Sequence, residues 1–244
     1  MKKNNDINLI GIIKNSVRIY FKNIFAWIMV CFLVYTPMFV CDYLMPEQFQ
    51  TPANVFNAVY SFNIFKMMIY FLPPILFNPL AIAVIACVVE QSLYNKTIDV
   101  SYVLDNSLLK WKDLVYSAVI YYSIVLFTSL LIIPSIYFSV SFYFYIPIIA
   151  LSKYKGMKAM LISKLAIMGR WFKAAGLIFL SMILSTMISL FIERFLPMKS
   201  ENLFITKIIF SLVCKFIDIF FEIVLIVWFL STSVIKVDEK EVGI

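Results

Sequence analysis

The strongest constraint in this chain is the length of its apolar runs. Residues 24–44 read IFAWIMVCFLVYTPMFVCDYL, and runs of similar character recur along the rest of the sequence. In lipid every backbone N–H and C=O must be paired inside the protein, so only helices and closed barrels span a bilayer. A barrel strand is about ten residues of alternating polarity. Apolar runs of about 20 residues without alternation match a hydrocarbon core of about 30 Å only as helices. Composition agrees, with 63% of the 244 residues hydrophobic and 14% charged, against about 45–50% and about 25% in soluble domains. The expected class is an all-α integral membrane protein, a single membrane domain over 1–244.

Six spans are expected, at about 24–44, 67–94, 114–133, 136–152, 172–192 and 208–234. Pro73, Pro74 and Pro79 remove backbone donors from the second, which predicts a kink or a broken helix there. The turn Ile133-Pro134-Ser135 is expected to separate the third from the fourth. An even number of spans places both termini on one side. All basic residues except Lys66, Arg194, Lys199, Lys207 and Lys215 fall on that same side. The positive-inside rule makes it the cytoplasm. Heavy use of Lys, Asn, Ile and Phe suits an AT-rich bacterial genome, so the expected location is the bacterial cytoplasmic (inner) membrane. No cleavable signal is expected, because the first 20 residues are polar and amphipathic.

A threefold repeat is expected. NLIGIIKNSVRIYFKNIF precedes the first span, SYVLDNSLLKWKDLV the third and GMKAMLISKLAIMGRWFKAAG the fifth. Each has apolar residues at helical spacing, Ser or Asn with Lys or Arg on another face, and an aromatic-basic step (Phe21-Lys22, Trp111-Lys112, Phe172-Lys173). Each predicts an amphipathic helix on the cytoplasmic leaflet followed by a transmembrane hairpin. The approximate repeats are 5–94, 100–152 and 156–235.

The run LLIIPSIYFSVSFYFYIPIIALSKYKGMKAMLISKLAIMGRWFKAAGLIFL resembles the signature region of a broad group of bacterial membrane proteins. That group includes the YciC-like inner-membrane proteins and the membrane domain preceding some bacterial glycerophosphodiester phosphodiesterases. Pro134, Ile136, Tyr137, Pro147, Gly156, Ala159, Ser163, Trp171 and Phe172 carry the resemblance, and Ser135 stands where the group usually has Gly. The resemblance implies the six-span architecture and no particular activity. No phosphodiesterase domain is expected after the last span.

Chemistry is sparse. There is no histidine, which removes the commonest general base and metal ligand. No phosphate-cradling glycine motif, nucleophile elbow or zincin motif occurs. A non-enzymatic protein without cofactor or metal is expected. Cys31, Cys41, Cys87 and Cys214 lie scattered in apolar runs and read as buried reduced thiols. The net charge of +7 sits at helix ends, which suits anionic lipid and not nucleic acid.

The candidate intramembrane polar site is Lys215, Asp218 and Glu222, with Glu90 as a further carboxylate. At about 100° per residue, Asp218 lies about 60° from Lys215 and Glu222 about 20° from it, so all three share one helix face. Such a face looks into the bundle or a cavity rather than at lipid. Lys215 and Asp218, at i,i+3, are expected to pair. Glu222 lies deepest, about 16 Å from a boundary near Ser233, and lacks a local partner. Thr128, Ser129, Ser181, Ser185, Thr186 and Ser189 are its candidate neighbours. Two readings stand: Glu222 is protonated or hydrogen-bonded to hydroxyls and tyrosines across the bundle, or it handles a proton or a cation in a polar cavity or docks a partner helix bearing Lys or Arg.

The second candidate surface is a lipid-facing basic belt of Lys14, Arg18, Lys22, Lys153, Lys155, Lys158, Lys164, Arg170 and Lys173. The function expected is association with membrane lipids bearing anionic headgroups, with a membrane-protein partner, or with further copies of the chain, in an accessory, self-protection or envelope-homeostasis role. The alternative is a transporter or ABC-type permease subunit that uses the polar intramembrane stripe.

Overall fold

A computed structural model describes residues 9–44, 64–94, 96, 98–195 and 203–232. Lys2, Lys3, Lys199, Lys236 and Lys240, which entered the orientation argument, lie outside them, as do the corresponding parts of repeats 5–94 and 156–235. The elements are α1 (Leu9–Lys22), α2 (Ile24–Val30), a π-helical turn (Cys31–Tyr35), α3 (Thr36–Leu44) and α4 (Ile64–Leu93). There follow α5 (Val100–Leu109), α6 (Trp111–Thr128), α7 (Ile132–Phe142), α8 (Tyr145–Leu151), α9 (Gly156–Ile167), α10 (Trp171–Phe195) and α11 (Leu203–Thr232). Every regular element among the described residues is helical. Among the described residues, four stretches are long and apolar enough to cross a membrane: Ile24–Cys41, Leu72–Leu93, Ile132–Leu151 and Trp171–Arg194. The expected third and sixth spans are also helices. They carry charge instead, Lys112 and Asp113 at the start of α6 and Lys207, Lys215, Asp218 and Glu222 on α11.

The core lies where α4, α8 and α11 meet. Ala81, Ala83 and Ala86 are covered, as are Tyr145–Ala150 and Leu225–Phe229. Small side chains on α4 let its neighbours approach closely, which is how helices gain packing energy when lipid is the competing solvent. Phe144 and Phe229 stack at 4.4 Å between ring centres, 6° from parallel. α10 is outermost: only Ala174, Ala175 and Ile178 of its described side chains are fully buried.

Prolines decide where these helices change. Pro37 has no N–H to offer the Leu33 carbonyl, and the preceding turn rewinds to a π-helix over Cys31–Tyr35. The turn expected at 133–135 lies earlier, at Ser129–Leu131, with Leu131 extended (φ −122°, ψ 107°). Pro134 instead occupies the first turn of α7, where its missing donor costs nothing. The expected continuous span 136–152 is broken between α7 and α8. Pro147 is the physical reason: it cannot donate to the Tyr143 carbonyl four residues back. By contrast α4 is one helix from Ile64 to Leu93 across all three of its prolines, so of the kink or broken helix expected there, the break does not occur. Trp111 Nε1 donates to the Leu76 carbonyl at 3.2 Å within that stretch.

All three amphipathic segments are helices that pack one face on the bundle: α1 on α11, α5 on α4, and α9 on α6, α7 and α8. Each buries a serine, Ser16, Ser107 and Ser163. Tyr20 of α1 donates to the Phe216 carbonyl at 3.0 Å. Burial pushes its phenol up to about 12, so it remains a donor throughout the neutral range. Three contacts tie helix ends together. Asn23 Nδ2 meets Ser92 Oγ at 3.0 Å, and Arg170 donates to the Thr232 carbonyl, the last of α11, at 3.0 Å. Lys110 Nζ donates to the carbonyls of Ile149, Ala150 and Ser152 at 3.1, 2.7 and 3.0 Å. Cations at helix C-termini meet both orphan carbonyls and the negative end of the dipole. None of the four cysteines is paired; Cys31 and Cys87 are buried, while Cys41 is exposed, contrary to the expectation.

Candidate functional site

α11 sets the polar stripe because its charged residues recur at helical spacing. Lys215 Nζ and Asp218 Oδ2 are 3.0 Å apart, at side-chain exposures of 30% and 25%. The same ammonium sits 5.7 Å from the Tyr35 ring centre, a contact made by the segment that Pro37 rewinds. Asp218 Oδ1 also accepts from the Ser185 hydroxyl of α10. Asp218 is therefore satisfied by a cation and a hydroxyl, and Lys215 by a carboxylate and an aromatic face. This pair is self-contained.

Glu222 is one turn further on and differently placed. Its Oε1 accepts from the Tyr143 hydroxyl at 3.1 Å. Tyr143 stands in the break between α7 and α8. The break is held from α9: Ser163 Oγ accepts from Phe144 N at 3.2 Å and donates to the Ser141 carbonyl at 2.9 Å. Trp171 Nε1 donates to Ser141 Oγ at 3.2 Å. These bonds replace part of what the interrupted helix cannot supply, which is the condition for irregular backbone at membrane depth. The amphipathic helix α9 thus fixes the tyrosine that meets Glu222.

Glu222 opens onto a cavity of about 200 Å³ lined by Asn78 and Pro79 of α4, Tyr121 and Tyr122 of α6, and Tyr143 and Tyr145 at the break, among others. Four tyrosines and one carboxyl group line a single void. Glu222 makes no salt bridge among the described residues; Lys215 lies seven residues back, about 10 Å along the axis, and is engaged by Asp218. No group of three His, Cys, Asp or Glu that could hold a metal occurs among the described residues.

Of the expected neighbours, Ser185 reaches the stripe and meets Asp218, while Ser189 bonds Cys214, also on α11. Thr128, Ser129 and Thr186 bond back to carbonyls of their own chain segment. Glu90 is half-buried on α4, two turns past the Ile82 that lines the cavity, and does not contribute to its wall. Sequence reasoning missed Tyr143; the signal was Pro147, which places a break, and hence an available side chain, four residues earlier.

The basic belt divides. Lys14, Arg18, Lys22, Lys153, Lys158 and Lys173 are exposed. Lys155 is exposed and 3.4 Å from Asp113, and Lys164 lies 5.7 Å from the Tyr137 ring centre. Arg170 is half-buried and caps α11. On α1 three faces are distinct. Ile12, Ser16, Ile19 and Tyr20 are buried. Ile10, Ile13, Val17 and Phe21 form an exposed apolar stripe, with Ile10 71% and Phe21 66% exposed. At about 100° per residue these four fall within an arc of about 80°, and Lys14, Arg18 and Lys22 fill the adjacent arc. α9 repeats the pattern, with Met157, Leu161 and Leu165 exposed between Lys158 and Lys164.

No protein-family model, curated protein or solved structure matches this chain.

Proposed function

We propose that this chain is a six-span protein of the bacterial cytoplasmic membrane, built of three repeats with both termini cytoplasmic, that acts by association with anionic lipid rather than by catalysis. The observation that carries the reading is the three-faced α1. A helix seated on a bundle needs one apolar face. This one has a second, exposed apolar stripe bordered by Lys14, Arg18 and Lys22. An apolar stripe beside a cationic one is the pattern of a helix lying at the level of lipid headgroups, its alkyl groups among acyl chains and its ammonium groups among phosphates. Each cation near an anionic leaflet contributes about 1 kcal/mol of attraction. The buried serines at corresponding places in α1, α5 and α9 support the repeat.

The test is native mass spectrometry of the purified protein equilibrated with equal phosphatidylglycerol and phosphatidylcholine. The reading expects phosphatidylglycerol to be retained preferentially and the preference to vanish in K14E/R18E/K22E. Equal retention of the two lipids by the wild-type protein would refute it.

A second reading, in which the chain carries a solute across the membrane, draws on the placement of Glu222 in a cavity beside a helix break. Binding sites of many secondary transporters are built from discontinuous helices near the midplane. A flux of radiolabelled solute into proteoliposomes that E222Q removes would favour it over association alone.

A further inference from the structure

We infer that the cavity at Glu222 is a binding site for a small organic ammonium ion. The inference concerns binding alone and stands apart from the lipid-association reading. Three features of the chamber specify the ligand class. The first is charge. Asp218 has Lys215 at 3.0 Å, whereas Glu222 faces the cavity with no salt bridge among the described residues and with Oε1 held by Tyr143. The described residues give this carboxyl group one hydrogen-bonding side chain, Tyr143, and the cavity lies against the rest of it. A carboxylate removed from water is stabilised most by an opposite charge brought next to it.

The second feature is the wall. Tyr121, Tyr122, Tyr143 and Tyr145 surround the void together with Asn78. Aromatic rings attract poorly hydrated organic cations, and an aromatic enclosure is how quaternary ammonium groups are commonly recognised. A hard inorganic cation needs instead about six to eight oxygen ligands, and here most of the wall is ring and aliphatic carbon. The third feature is size. About 200 Å³ holds several waters, each of which occupies about 30 Å³ in the liquid, so a methylated ammonium ion fits and a phospholipid headgroup with its glycerol does not.

The structure also shows how the site is kept open. Tyr143 is fixed by a break that Pro147 imposes and Ser163 stabilises. The proline-bearing turn of α4 at Asn78 and Pro79 also lines the void. The backbone on both sides fixes where the lining side chains start, which lowers the cost of ordering them around an ion.

The test is equilibrium dialysis of the full chain in detergent against radiolabelled tetramethylammonium, with sodium chloride as the ionic-strength control. The expected result is saturable binding of about one ion per chain that excess methylammonium displaces and excess sodium does not. E222Q, which keeps shape and hydrogen bonding but removes the charge, should weaken it at least tenfold. Absence of saturable binding, or binding unchanged in E222Q, overturns the inference. Should E222Q fail to fold, the wild-type protein decides. Tetramethylammonium must then slow modification of Glu222 by dicyclohexylcarbodiimide, read by peptide mass spectrometry, and an unaltered rate refutes the site.

Discussion

Tyr143 Oη donates to Glu222 Oε1 at 3.1 Å, across 79 residues of sequence, and so joins the break between α7 and α8 to the middle of α11. The bond answers what lies opposite the carboxylate that helical geometry leaves without a local partner. It also couples two origins of order, a proline that breaks a helix and a charge that must be accommodated in a bundle. Tyr143→Phe keeps the ring and removes only the donor. Hydrogen bonds between helices in membranes contribute about 0.6 kcal/mol on average and up to about 1.7. A loss in that range is expected, read as unfolding free energy in mixed micelles; a loss of zero would mean the bond contributes nothing.

Ser163→Ala should cost more than Tyr143→Phe. It strips the Phe144 N–H and the Ser141 carbonyl of their partner at one site, and unsatisfied buried groups cost about 1–3 kcal/mol each. The same unfolding measurement ranks the two variants.

Asp218→Ala leaves Lys215 half-buried beside Tyr35 without its counter-charge. Breaking a fully buried pair costs about 3–5 kcal/mol; side-chain exposures of 30% and 25% place this one lower, at about 1–3 kcal/mol. Adding Lys215→Met should restore part of the loss, because the unpaired charge is then gone. A double-mutant cycle reads the coupling, and strict additivity would show that the pair does not interact.

Gly156→Ala tests the start of α9. Gly156 has φ +57°, donates its N–H to Ser117 Oγ at 2.9 Å, and a Cβ there would come within 3.3 Å of the Tyr116 ring. The left-handed backbone alone disfavours a side chain by about 1–2 kcal/mol. A lowered melting temperature is expected, whereas Gly11→Ala, where nothing lies within 4 Å, should be neutral or better.

Much of this was legible in the residues. Apolar run length alone dictates a helical membrane class, and the 100° step puts Lys215, Asp218 and Glu222 on one face and pairs the first two. These are local properties, fixed by spacing within one helix. What was not legible depends on packing between segments. Ser185 reaches Asp218 and Tyr143 reaches Glu222 only because α10 and the α7–α8 break pack against α11. The prolines show the same dependence on context. Pro134 reads from sequence as the centre of a turn but lies inside a first helical turn, where its missing N–H is harmless. Pro73, Pro74 and Pro79 predict a kink or a broken helix, and the helix continues unbroken across all three. Arg170 was assigned to lipid by its position in the basic belt, yet a helix C-terminus competes for the same cation and holds it.

The central claim is that α1 seats one face on the bundle and offers lipid a second apolar face beside a cationic one. A nitroxide scan of residues 9–22, in phosphatidylglycerol-containing bilayers and with the native cysteines replaced by alanine, tests it directly. Collision rates with oxygen, which concentrates in acyl chains, should peak at Ile10, Ile13, Val17 and Phe21. Collisions with a water-soluble nickel complex should peak at Lys14, Arg18 and Lys22. Both should fall to a minimum at Ile12, Ser16 and Ile19. If the two collision profiles instead rise and fall together, with the apolar stripe as accessible to nickel as the lysines, α1 faces water and the account is contradicted.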